Sequence, residues 1–165
     1  MRTETRELFT ISELSDSARE KALNNHRYWN TEDVEWWDGV YEDAARIGLE
    51  ITSFDLGRRS SCEGHFTRTG ADVARAIIAE HGPNCETVTD AENFLKALAA
   101  LPLEEGEDCP SDDDLEECEG EFLHDLLESY RIMLEHECEY LESDMAVSES
   151  LEANGVEFLE DGSNP

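Results

Sequence analysis

Leu49-Glu50-Ile51-Thr52-Ser53-Phe54-Asp55-Leu56 is followed by Gly57-Arg58-Arg59-Ser60-Ser61 and then by Cys62-Glu63-Gly64-His65-Phe66-Thr67-Arg68. The reading of this stretch decides the fold class. The first run alternates apolar and polar residues and carries β-branched and aromatic side chains, as a half-buried strand does. The Gly-Arg-Arg-Ser-Ser segment is a loop. The last run returns beside the first as an antiparallel partner. Gly64 within it signals a bulge or a close backbone approach. Helical patterns lie on both sides of this hairpin. The expected class is therefore α+β, with helices packed on one face of a small, mainly antiparallel sheet.

Working outward, residues 5–11 read as a first strand. Ser15 reads as the N-cap of a helix that runs to about Tyr28, with Leu14 stapled onto it. Thr31 is placed to cap a second helix over 32–47, whose stripe is Val34, Trp37, Tyr41, Ala44 and Ile47, with Gly48 at the C′ position. Beyond the hairpin the pattern predicts helices over 71–81 and 90–100, the latter capped by Thr89-Asp90. An exposed acidic linker over 104–112 follows. The longest helix is expected over 112–142, on the stripe Leu115, Cys118, Phe122, Leu126, Tyr130 and Met133. Glu119 interrupts that stripe with a charge. A short helix over 144–154 and a last strand near Val156–Leu159 complete the chain. The expected division is an α+β domain over 1–103 and an acidic helical segment over 104–165 packed on it.

Charge narrows the function classes. The 165 residues carry 42 Asp and Glu against 12 Lys and Arg, a formal net of -30. Residues 97–165 hold 23 of the acids and one base, Arg131, and eleven carboxylates fall between Glu104 and Glu121. Solubility needs a net charge of only about 2–8. Such a chain repels phosphate, so direct binding to nucleic acid or to an anionic membrane is not expected. A basic partner is. No apolar run is long enough to span a bilayer, and Met1-Arg2-Thr3-Glu4 leads into no apolar h-region, so a secretory leader is not expected. Five cysteines, an odd number, fit reduced thiols in a cytosol better than a disulfide framework.

No phosphate-binding glycine loop, nucleophile elbow or His-Glu-x-x-His signature occurs, and no catalytic set or cofactor is expected. Cys62 with His65, and His136 with Cys138, each place a soft ligand near an imidazole without a second pair at zinc spacing. His65 stands out as a candidate catalytic or binding histidine, because it lies in a predicted strand beside Arg58, Arg59 and Ser60. Trp36 and Trp37 diverge by about 100° on a helix. Trp37 is expected in the core, and Trp36 at its edge as an interface anchor.

Several segments resemble a family of small acidic phage- and prophage-encoded proteins, mostly of unassigned function. They are Phe9-Thr10-Ile11-Ser12-Glu13-Leu14-Ser15-Asp16-Ser17-Ala18-Arg19-Glu20-Lys21-Ala22-Leu23, Glu35-Trp36-Trp37 with Tyr41-Glu42-Asp43-Ala44, the strand holding Phe54, and the close from Glu152 to Gly162. The resemblance implies a phage source and a host bacterial cytoplasm. It carries no reaction. By analogy of class, such proteins include DNA mimics and anti-CRISPR or anti-restriction inhibitors.

The first expectation is therefore an acidic inhibitor of a host defence protein or ribonucleoprotein complex. Its contact would be formed by Asp112, Asp113, Asp114, Glu116, Glu117, Glu119, Glu121, Asp125 and Glu128, with Trp36. A second is an antitoxin-like partner of a basic toxin. A third is a carboxylate-metal hydrolase built on Asp112, Asp113, Asp114 and Glu117. The apolar stripe of the long helix either packs on the sheet or forms a homodimer seam.

Overall fold

A computed structural model describes residues 5–165. Among them are six α-helices and one two-stranded antiparallel sheet: α1 (Asp16–Asn25), α2 (Asp38–Ile47), β1 (Leu49–Asp55), β2 (Ser61–Phe66), α3 (Gly70–Glu80), α4 (Glu86–Ala99), α5 (Asp112–Leu141) and α6 (Asp144–Ala153). The class is α+β.

The chain divides into two compact units. One holds the residues up to Trp36 together with His136–Pro165, and the other is Trp37–Glu135. The boundary expected from charge, at 103/104, falls inside the second unit.

The second unit is built around the hairpin. Leu49 pairs with Phe66, Ile51 with Gly64 and Phe54 with Cys62, with a bulge between Ile51 and Ser53. Gly64 is required by a close approach, since a Cβ there would collide with the Glu50 carbonyl oxygen. Leu49 and Ile51 face inward onto Ala44 and Ile47 of α2, Val73 and Ile77 of α3, Ala91 and Phe94 of α4, and Phe122, Leu126 and Tyr130 of α5, all in one buried cluster. Phe94 and Phe122 stack at 4.4 Å, and Phe66 adds a tilted contact to Phe122 at 5.3 Å. The stripe of α5 thus packs on the sheet side of this unit. Gly48 ends α2 in the left-handed region, with φ 94°.

The first unit joins the two ends of the chain. Ile11, Leu14, Ala18, Ala22 and Leu23 pack with Val147, Leu151 and Phe158. The strand expected over 5–11 is reduced to one bridge, Phe9 with Phe158, and so is the expected last strand. Residues Ile11–Glu13 instead form a 3-10 turn, closed by Glu13 accepting from the Thr10 backbone N–H at 2.8 Å. The Arg19 guanidinium holds that turn by donating to the carbonyls of Ile11 and Ser12 at 3.1 and 3.0 Å. Ser15 caps α1 as expected.

Two helix starts differ from expectation. α2 begins at Asp38 rather than 32, because Asp33 adopts φ 57° and breaks any earlier helix. Thr31 does not cap it. Its hydroxyl donates to Glu142 at 2.9 Å. α4 begins at Glu86 rather than 90, since Thr87 and Val88 are buried within its first turn.

Candidate acidic interface on α5

Ser111 opens α5: its hydroxyl accepts from the Asp114 N–H at 3.1 Å and donates to the Asp114 carboxylate at 2.8 Å. From that start, Asp113, Glu117, Glu121 and Asp125 follow at steps of four, so their side chains share one face. All four are exposed, and none has a cation partner among the described residues. Asp112 and Glu116 flank the row, also exposed and unpaired, and Asp114 is half-buried. From Asp112 to Asp125 these seven carboxylates are spread over about 20 Å of helix axis, or about one per 3 Å.

Two of the expected contact residues are engaged elsewhere. Glu119 turns inward, and its Oε1 accepts from the Gly70 N–H at 2.8 Å, at the N-terminus of α3. A carboxylate is favoured there by the helix dipole. Gly70 is required to admit it, since a Cβ would lie 2.9 Å from that oxygen and 3.0 Å from Phe94. Glu128 is held by Arg131 through two hydrogen bonds of 2.9 and 2.7 Å, which also keep its carboxyl below the ordinary range. Arg131 further donates to Glu135 at 3.0 Å and to Ser60 at 3.3 Å, tying α5 to the hairpin turn. Trp36 is half-buried in the turn before α2. Trp37 packs edge-on against Phe54 at 5.6 Å.

The acidic row has a neighbour that charge patterning missed. Asp90 on α4 faces Glu121 and Asp125 across a cleft of about 120 Å³, floored by Phe94 and Phe122 and lined also by Asn93, Ala97 and Cys118. Burial raises the Asp90 carboxyl above its ordinary value, and Asp125 and Glu86 add to the rise. The Ser129 hydroxyl, donating at 2.6 Å, opposes it. Burial is the larger cause of the rise, and the neighbouring carboxylates add the smaller part.

The remaining candidates do not converge. Cys62 faces inward on β2 while His65, three residues on, faces solvent beside Glu50 at 3.5 Å. His65 pairs with Glu50 at the end of the hairpin away from the Arg58-Arg59 turn. Cys138 donates to Glu142 at 3.6 Å, while His136 is exposed. Among the described residues no three His, Cys, Asp or Glu side chains are grouped to hold a metal ion, so Asp112, Asp113, Asp114 and Glu117 do not form such a set. The described helices include none long and apolar enough to cross a membrane.

A further polar cluster lies in the second unit. Tyr130 donates to Asp43 at 2.8 Å, Asp43 also takes Arg46 at 2.6 Å, and His81 lies 3.4 Å from Asp43 and 2.7 Å from the Thr87 hydroxyl. Thr87 and Tyr130 are fully buried, Asp43 is half-buried and Arg46 is exposed, so the network joins α2, α4 and α5 at the end of α3 and runs from the core to the surface.

No family model, curated protein or solved structure matches this chain.

Proposed function

We propose that this chain is an acidic inhibitor that occupies a basic, nucleic-acid-binding surface of a host defence protein or ribonucleoprotein complex. The observation that carries the reading is the unpaired row Asp113, Glu117, Glu121 and Asp125, widened by Asp112 and Glu116 and continued across the cleft by Asp90. Its density of about one charge per 3 Å is close to the 3.4 Å spacing along one DNA strand. A cleft evolved to hold phosphates offers arginine and lysine at that spacing. The row sits on a helix whose opposite face is locked into a core by Phe122, Leu126 and Tyr130, so it is presented with little ordering cost. Opposite fields would steer association and make it salt-dependent.

The test is capture from a bacterial lysate at low salt, with mass spectrometry of what is retained. Wild type is compared with a variant carrying Asp113→Asn, Glu117→Gln, Glu121→Gln and Asp125→Asn. Retention of a nucleic-acid-binding defence protein by wild type alone supports the reading. Equal retention by the neutralised, folded variant overturns it. Retention of a basic toxin instead assigns the row to toxin neutralisation.

A further inference from the structure

The turn between β1 and β2 has the opposite sign to the rest of the chain. Arg58 and Arg59 are adjacent, exposed and without a partner among the described residues. Most other cations are engaged. Lys21 pairs with Asp161, Arg27 with Asp144, Arg75 with Asp72 and Arg131 with Glu128 and Glu135, while Arg19 and Arg68 donate to carbonyls. The turn is also held in place: the Gly57 N–H donates to Asp55 at 2.6 Å, and Ser60 accepts from Arg131. Two guanidinium groups on a fixed turn lose little freedom when they meet carboxylates, and their planar donors suit bidentate pairing.

The same unit displays the complementary feature. The cleft between α4 and α5 is lined by Asp90, Glu121 and Asp125 together with the stacked rings of Phe94 and Phe122, and no Lys or Arg is among its lining residues. Its volume of about 120 Å³ equals roughly four water volumes, enough for a guanidinium head.

We infer that the Arg58-Arg59 turn of one copy docks on the α4–α5 carboxylate cleft of a second copy. Net charge opposes the approach, and salt screens that long-range repulsion within about 8–10 Å. Self-association is thus weak, appears at moderate ionic strength, and fades when high salt screens the contact as well. The inference does not depend on the proposed function, because it concerns the chain alone.

The experiment is sedimentation velocity over a concentration series at low, moderate and high salt. It uses wild type, the variant Arg58→Glu/Arg59→Glu, and the variant Glu121→Arg/Asp125→Arg. All four positions are exposed, and circular dichroism confirms the fold of each variant before use. Wild type should rise above the monomer mass at moderate salt, as the contact between turn and cleft forms. Each variant alone should remain monomeric. An equimolar mixture of the two variants should associate again, because each supplies the charge that the other inverts. A wild type that stays monomeric throughout, a variant that associates alone as wild type does, or a mixture that stays monomeric overturns the inference.

Discussion

Glu119 shows how one side chain can contradict a periodic pattern and still support the fold. It breaks the apolar stripe of α5, yet it caps α3 through Gly70. Gly162 is constrained more tightly: φ is 79°, and a Cβ would collide with the Ala18 carbonyl oxygen. Gly162→Ala should therefore cost at least about 1 kcal/mol, read as a lower Tm; an unchanged Tm would mean that this turn relaxes freely. Asp90 tests the electrostatics. Its carboxyl should titrate above the ordinary 3.8 by carbon NMR, and Asp125→Asn should bring the midpoint down. Because its folded value is raised, Asp90 stabilises the fold at pH below its unfolded value, and that contribution is lost as pH rises through the folded one. A midpoint at or below 3.8 would contradict both causes of the rise. The thiols give an independent check on burial. Cys62 and Cys138 are pushed up to about 11, first by burial and then by nearby carboxylates, while Cys85 and Cys109 are exposed. Alkylation at pH 8 followed by mass spectrometry should label Cys85 and Cys109 well before the other two.

Among the elements, α5 carries the cost of its own charge. Like charges at steps of four oppose one another by about 0.2–0.5 kcal/mol each. Neutralising Asp113, Glu117, Glu121 and Asp125 should then raise stability by about 1 kcal/mol. A higher Tm in calorimetry checks this, and a lower one would show that the row supports the helix. The C-terminus of α5 is held from outside the helix. Glu137, Glu139 and Glu142 lie where cations are favoured, while Glu135 is held by Arg131 one turn back. The cation at the helix end comes from far along the chain: Arg27 donates to the Glu142 carbonyl and Asn30 to that of Leu141, each at 2.9 Å. Readable elements were those with local signals. The apolar stripe announced α5, Gly48 the end of α2, Ser15 the start of α1, and Gly64 the close strand crossing. The strand expected over 5–11 failed for a nonlocal reason, since β-branched and aromatic residues make a strand only where a partner runs alongside, and here only Phe158 does. The spacing Thr10-Ile11-Ser12-Glu13 held a capping-box signal that would have found the 3-10 turn. Of the candidate site, the density of carboxylates along α5 was legible in the sequence, while the row that Asp113, Glu117, Glu121 and Asp125 form emerges with the helix's orientation on its core. The inward turn of Glu119, the loss of Glu128 to Arg131 and the arrival of Asp90 all depend on tertiary neighbours.

Across the whole molecule, sequence distance and spatial grouping diverge. The unit joining the chain ends is fastened by the Phe9–Phe158 bridge and by Lys21 with Asp161. Phe158 is fully buried there among Ile11, Leu14 and Leu151. Phe158→Ala should cost about 3–5 kcal/mol, seen as a fall in denaturation midpoint; a loss below about 1 kcal/mol would show that the C-terminal segment is not part of that core. The acidic row lies in the other unit, where a rigid core backs it. That arrangement keeps a destabilising concentration of charge on one face, and its use against a basic surface is the central claim. The most direct measurement is the affinity of the chain for its captured partner, titrated from low to high salt with a competing DNA or RNA duplex present. Affinity should fall steeply and log-linearly with salt, and the duplex should displace the chain. Affinity that holds constant across the salt range, with the duplex bound at the same time, would contradict it.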